Sequence, residues 1–130
     1  MMWALQPTGE FDKKQRKWPK KYHRELKNML DNLSTFHRSL CMGGTPQSAA
    51  QAGFVHPEPS GVVAVDQSGP GAGLKRTRLY VYPDVDSRTL HLITVGDKSS
   101  QGADIKFSRE FVAGLLKQEE GERKSDSEGG

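Results

Sequence analysis

Residues 74–105 read LKRTRLYVYPDVDSRTLHLITVGDKSSQGADI, and this stretch decides the fold. It holds two runs that alternate like β-strands, joined by a turn that contains Pro83, two aspartates and a serine. The pattern predicts an antiparallel hairpin. In the first strand, one predicted face carries Arg76, Arg78, Tyr80 and Tyr82, and the opposite face carries Lys75, Thr77, Leu79 and Val81. In the second strand, one predicted face carries Leu90, Leu92 and Thr94, and the opposite face carries His91, Ile93 and Val95.

The end of the chain begins with a polar loop. Gly96–Gly102 leads out of the second strand, and loops at strand ends often carry functional groups. A helix is predicted next, capped by Ser108 and apolar on one face from Phe111 to Leu116. Beyond that helix the chain has no apolar residue, which predicts a disordered acidic tail over residues 118–130.

The N-terminal third predicts a short strand and two helices. Residues 2–6 suit an edge strand, and Thr8 is a candidate N-cap for a helix that runs to about Lys17. Pro19 ends this helix and suits the first turn of a second one, so the pair is predicted to form a basic helical hairpin. The second helix carries an apolar stripe. The stripe consists of Tyr22, Leu26, Met29, Leu30, Leu33, Phe36 and Leu40.

The middle of the chain predicts one strand between two loops. Residues 41–61 are rich in glycine, proline and small side chains and are expected to be a long loop. Residues 61–66 predict a buried strand, and residues 67–73 a mobile connection. The order of elements predicts a small single α+β domain over residues 1–117. In this domain the helical hairpin packs on a mainly antiparallel sheet of three or four strands, with a C-terminal helix.

Composition and charge limit the classes of function. With 130 residues and a hydrophobic fraction of 34%, the chain has room for one modest core. The formal net charge is +3, and the first 40 residues carry nine Lys or Arg against four Asp or Glu. This balance suits an anionic partner or a solvated helix face. Cys41 is the single cysteine, so no internal disulfide is possible, and no apolar run approaches the roughly 20 residues of a membrane span. We expect a cytoplasmic protein.

The chain resembles the RelE/ParE superfamily of toxins from bacterial type II toxin–antitoxin systems. The resemblance covers residues 3–117 and rests on the basic helical hairpin and on two segments of the predicted strands. These segments are RLYVY at residues 78–82 and HLITVGDK at residues 91–98. In RelE-like ribonucleases an arginine opens the middle strand and a second basic residue follows a glycine at the end of the next strand. Arg78 and Lys98 match those two positions.

The resemblance implies a toxin that cleaves messenger RNA on the ribosome, arrests growth and is neutralised by a cognate antitoxin. Such enzymes use the RNA 2′-hydroxyl as nucleophile and need no metal or cofactor. Arg78 and Lys98 are the implied catalytic cations, and His91 is a candidate acid or base. The nucleic-acid-binding candidates are Lys20, Lys21, Lys75, Arg76 and Tyr80.

Departures from the RelE pattern keep two alternatives open. Residues 62–66 lack the lysines that RelE carries on this strand, and Asp104 and Ile105 stand near the position of its tyrosine. The chain could instead inhibit DNA gyrase by binding, as ParE-like toxins do, or be a binding protein that keeps only the fold. No membrane partner is expected.

Each candidate residue also has a purely structural interpretation. Arg78 could pair with a local carboxylate such as Asp66, and Lys98 could be an ordinary solvated lysine. His91 shares its predicted face with apolar residues, which is typical of a core histidine. Residues 56–58 could position a base or be ordinary loop. No metal-ligand spacing, Walker loop or nucleophile elbow is present, so no cofactor is expected.

Overall fold

The computed structural model describes residues 2–67 and 74–128 of the chain. Within these residues there are four helices and five strands, with short 3₁₀ turns at residues 18–20, 59–61 and 98–100. The predicted mobile connection at residues 67–73 lies, apart from Gln67, outside the described residues. The elements are β1 (Ala4–Pro7), α1 (Gly9–Lys17), α2 (His23–Cys41), α3 (Pro46–Ala49), β2 (Val55–Pro57), β3 (Val63–Asp66), β4 (Thr77–Asp84), β5 (Thr89–Asp97) and α4 (Gln101–Glu128).

The five strands form one sheet in the order β1-β5-β4-β3-β2. β1 runs parallel to β5, and the other three pairings are antiparallel. The predicted α+β class, hairpin and C-terminal helix are confirmed, and the sheet has one or two strands more than expected. None of the helices in the described part of the chain combines the length and apolar character needed to span a bilayer.

The helical hairpin covers one face of the sheet, as its apolar stripe predicts. Thr8 caps α1, since its Oγ1 accepts from the Phe11 amide at 3.0 Å and also donates to the Ile93 carbonyl at 2.6 Å. α2 buries most of its stripe against the sheet, which removes apolar surface from water, but Leu30 is exposed, so the prediction is wrong for this residue. The packed residues are Leu26, Met29, Leu33, Phe36 and Leu40 from α2, and Val63, Val65, Leu79 and Val81 from the sheet.

A β-bulge in β5 inverts the predicted alternation. Val81 pairs with Leu92 and Tyr80 pairs with Thr94, so Ile93 is an extra residue between them. Ile93 therefore packs in a second cluster beneath α4, whereas Val95 packs on the α2 side. The prediction that Ile93 shares a face with Val95 is wrong, because a strict period of two cannot anticipate an inserted residue.

The expected loop at residues 41–61 contains secondary structure. The four-residue helix α3 is closed by a reciprocal cap in which Thr45 Oγ1 accepts from the Ser48 amide at 3.1 Å. The three-residue strand β2 pairs with β3, with Val55 opposite Val65. These elements are too short to show a hydrophobic period, so the prediction of a continuous loop is wrong.

Helix α4 is longer than predicted at both ends. It begins at Gln101, so Ser108 lies inside the helix and is buried rather than serving as its cap. It continues to Glu128, so residues 118–128 are helical where composition predicted disorder. Glu, Lys, Arg and Gln are good helix formers even without apolar partners, which explains the extension.

The packing of α2 predicts a large effect of Leu33→Ala. Leu33 is 5% exposed, so we expect the free energy of unfolding to fall by about 2–5 kcal/mol from lost transfer energy and a residual cavity. Leu30→Ala is the matched control, because Leu30 on the same helix is 36% exposed and should cost about 1 kcal/mol or less. Urea unfolding measures both variants, and equal losses would contradict this packing.

Candidate functional site

A small concavity of about 40 Å³ lies where β4 begins and β5 ends. Arg78 is paired with Gly96 across the two strands, and the turn that carries Lys98 follows directly. The concavity therefore joins Arg78 and Lys98, the two cations implied by the RelE resemblance, with Arg76 and Tyr80 from the strand face predicted for Arg78. Its lining residues are Arg76, Arg78, Tyr80, Asp97, Lys98 and Gln101.

Arg78 is held by a carboxylate that the sequence did not single out as its partner. Its Nη1 lies 3.2 Å from Glu58 Oε1, and the Glu58 side chain is only 12% exposed. Asp66 lies opposite Arg78 in the strand register but accepts from His56 Nε2 at 3.0 Å. A local ion pair does form, with Glu58 in place of the predicted Asp66, because β2 and the turn after it extend the sheet beyond β3.

Tyr80 is not available as a stacking surface. Its side chain is 1% exposed and packs with Ala64, Ile93 and Val112 under α4. Burial, together with the nearby Asp104 charge, raises the pKa of Tyr80 to about 12. The hydroxyl therefore stays protonated at the wall of the concavity. Tyr80, a candidate for nucleic-acid binding, therefore cannot stack on a base, since its ring is covered by the core.

His91 lies apart from the cationic cluster. It pairs with Tyr82, five residues before Gly96 along β5, which places it about 17 Å from the concavity. The side chain is 9% exposed, and its ring stands 5.5 Å from that of Phe111. Burial lowers the pKa of His91 below its ordinary 6.5. The structure thus favours a neutral core histidine and does not bring His91 to Arg78 or Lys98.

Asp97 fixes the turn that presents Lys98. Its Oδ1 accepts from the backbone amides of Ser99 at 2.9 Å and Ser100 at 3.2 Å. Its Oδ2 accepts from the Tyr22 hydroxyl at 2.7 Å. Hydrogen bonds from Ser99 and Tyr22 lower the pKa of Asp97 to about 2. A side chain that is ionised at neutral pH therefore ties this turn to the N-terminal end of α2.

A buried polar network supports the turn from below. The Asp104 side chain is 4% exposed and its Oδ1 lies 3.0 Å from Lys14 Nζ. Lys14 also donates to the Val95 carbonyl at 3.1 Å, and Ser100 Oγ donates to Asp104 Oδ2 at 2.7 Å. The network joins α1, the end of β5, the turn and α4. Asp104 stood out in the sequence only as a departure from the RelE pattern.

The remaining predicted cations lie outside the concavity. Lys20 and Lys75 are exposed, and the Lys75 backbone amide donates to Glu25 at 3.3 Å. Lys21 lines a separate cleft of about 340 Å³ on the helical side of the turn, together with Lys14 and Lys17 among others. Asp97 borders both spaces, so the turn separates this cleft from the Arg78 concavity.

Comparison with known proteins leaves the family open. The chain matches no family model, no curated protein and no solved structure. Across residues 2–67 and 74–128, no group of three or more His, Cys, Asp or Glu side chains could hold a metal ion. The resemblance to RelE/ParE toxins therefore stays a prediction from the residues.

Gly96 is predicted to tolerate no side chain. A Cβ at this position would lie 1.6 Å from Asp104 Oδ2 and 2.5 Å from Ser100 Oγ. Gly96→Ala should therefore lower the free energy of unfolding by about 1–3 kcal/mol through overpacking. Gly102→Ala is the control, because nothing lies within 4 Å of its added Cβ and alanine favours a helix. Thermal unfolding compares them, and a neutral Gly96→Ala would contradict the network.

The low pKa of Asp97 predicts a loss of stability in acid. Its pKa falls from 3.8 to about 2 on folding, so its contribution is complete above pH 4 and disappears as the pH drops from about 4 to 2. Tyr22→Phe removes one of the responsible hydrogen bonds and should raise the pKa of Asp97 toward 3.8. Carboxyl-carbon NMR titration of wild type and Tyr22→Phe measures this change. Identical titration curves would show that Tyr22 does not stabilise the carboxylate.

Proposed function

We propose that this protein is the toxin of a bacterial toxin–antitoxin module, acting in the cytoplasm as a ribosome-dependent messenger RNA endonuclease. The observation that carries the proposal is the convergence of Arg76, Arg78 and Lys98 on one concavity. Two carboxylates, Glu58 and Asp97, adjoin these cations. RNA transesterification requires cations that stabilise the charge developing on the phosphate, and a proton acceptor beside them for the attacking hydroxyl.

The chemistry assigns distinct tasks to these groups. The RNA 2′-oxygen attacks the adjacent phosphorus while the bond from phosphorus to the 5′-oxygen breaks, which leaves a 2′,3′-cyclic phosphate. Arg78 is suited to stabilise the negative charge that develops on the phosphate, since its guanidinium can donate hydrogen bonds to two phosphate oxygens at once. Glu58 contacts Arg78 and is the candidate acceptor of the 2′-hydroxyl proton. Lys98 or the protonated Tyr80 hydroxyl can supply the proton for the leaving oxygen.

A second candidate function is inhibition of DNA gyrase by binding alone, as in ParE-like toxins. Two observations favour it. The strand at residues 62–66 has no lysine, and His91 lies in the core away from the cations. The lining of the concavity thus contains no histidine to act as acid or base. Both toxin functions require a neutralising antitoxin. We expect its gene to be a small reading frame beside the gene for this chain, encoding an acidic or DNA-binding protein.

Arg78→Ala tests the ribonuclease proposal. Removing one preorganised donor to a developing oxyanion should reduce cleavage by about 10²- to 10³-fold. Lys98→Ala should act in the same direction but less strongly, because its flexible ammonium is a less directed donor. Primer extension on messenger RNA from cells that express each variant measures the cuts.

Arg24→Ala is the matched control for this experiment. Arg24 is exposed on α2, which packs on the opposite side of the sheet from Arg78, so cleavage should remain at the wild-type level. Thermal midpoints of all variants verify that they fold. A wild type that arrests growth without cutting messenger RNA would overturn the ribonuclease proposal and favour gyrase inhibition.

A further inference from the structure

A mainly apolar cleft lies on the helical side of the turn at residues 97–100, between the end of α1 and the end of β5. It encloses about 340 Å³, and we call it the Trp18 cleft. Trp18 and Tyr22 line it from the helical hairpin, and Val95 lines it from the sheet. Hydrophobic periodicity did not indicate this cleft, because Trp18 lies in the short 3₁₀ turn between the two helices.

Two aromatic rings give the Trp18 cleft an anchoring surface. The Trp18 side chain is half-buried at the edge of the core, and its ring centroid lies 4.7 Å from that of Tyr22. Tyr22 is 5% exposed, and its hydroxyl donates to Asp97. Tyr22 therefore supports the indole from the core side, and Trp18 is the accessible ring of the pair. Tryptophan and tyrosine are enriched among the residues that carry most of the binding energy at protein interfaces.

The charged side chains of the Trp18 cleft are mostly cations. Its lining contains three lysines and a single carboxylate, that of Asp97. Lys14 is already paired, since its Nζ lies 3.0 Å from Asp104 Oδ1. Lys17 and Lys21 are exposed, and within residues 2–67 and 74–128 neither of them forms a salt bridge. The cleft therefore combines an apolar wall with two cations that can pair with the carboxylates of a partner.

We propose that the Trp18 cleft binds an acidic segment of another protein, with one large apolar side chain against Trp18 and carboxylates beside Lys17 and Lys21. Such a segment gains from the burial of apolar surface and from complementary charge. A single-stranded nucleic acid fits less well. The Trp18 and Tyr22 rings are tilted by 46° and Tyr22 is buried, so the pair offers no platform for successive bases.

This inference goes beyond the proposed ribonuclease function. The Trp18 cleft and the Arg78 concavity share only Asp97 among their lining residues, and Asp97 is held by hydrogen bonds from Tyr22 and Ser99. A segment that fills the cleft therefore need not cover Arg78. We expect Arg78→Ala to bind the acidic segment as wild type does.

The experiment uses a defined peptide as the probe. Fluorescence anisotropy with a short fluorescein-labelled peptide, in which glutamates flank a single leucine, gives the Kd at low salt concentration. Lys17→Gln combined with Lys21→Gln should raise the Kd by about 3- to 25-fold, because each exposed ion pair contributes a factor of about 5 or less. Replacing the leucine of the probe by serine should weaken binding to wild type by about 10-fold or more, since the burial of that side chain is lost. Neither change alters a buried residue of the protein, so the fold is preserved.

Lys106→Gln combined with Arg109→Gln is the matched control. It removes the same charge from exposed positions on α4, which packs on the opposite face of the sheet, and should leave the Kd within experimental error of wild type. Equal losses in the two double variants would overturn the inference, since the probe would then respond to net charge alone. Equal affinities for the leucine and serine peptides would also overturn it, because the apolar wall would have no role.

The remaining outcomes separate this inference from its competitors. Oligouridylate binding that depends on Lys17 and Lys21, without binding of the peptide, would overturn the inference and assign the cleft to nucleic acid. Wild type that cuts messenger RNA but does not bind the peptide would overturn the cleft alone. Wild type that binds the peptide through Lys17 and Lys21 but makes no cuts would support the cleft and overturn the ribonuclease.

Discussion

The inserted residue in β5 is the constraint on which the site depends. Because Ile93 interrupts the alternation, Gly96 faces Asp104 in α4 while Asp97 bonds to Tyr22 at the start of α2. Without the bulge these two residues would exchange faces. The turn that carries Lys98 would then lose both the carboxylate that caps it and the buried network beneath it. One extra residue thus couples the layers on the two sides of the sheet at the point where the cations meet.

For the proposed cleavage reaction, the charge balance at the concavity would favour the transition state over the ground state. Three cations face two carboxylates, Glu58 and Asp97, so the free site keeps a small positive excess. An incoming phosphodiester with one negative charge must compete with Glu58 for the Arg78 guanidinium. The doubly charged phosphorane gains more from the same donors, and only such a difference accelerates a reaction. Proton transfer to Glu58 would weaken that competition as the reaction proceeds.

Long periodic segments were predictable from the sequence, and features that depend on a partner were not. The α2 stripe and the β4–β5 hairpin follow from residue spacing, and the register of this hairpin brings Arg78 close to Lys98. Alternation assigned Tyr80 to the correct face but gave no information on whether α4 covers that face. Glu58 reaches Arg78 through β2, a strand of three residues with no readable period. The bulge at Ile93 can be recognised only once the pairing of β5 with β4 is known.

The strand order also determines how the sheet meets other molecules. Its two outer strands are β1 and β2, which are four and three residues long. Each ends in a proline, Pro7 and Pro57, which has no amide hydrogen to offer a neighbouring strand. Open edges of longer, hydrogen-bonding strands recruit further copies and seed aggregates. The long central strands are thus covered on both sides by short strands that end in proline, which limits edge-to-edge pairing of the sheet.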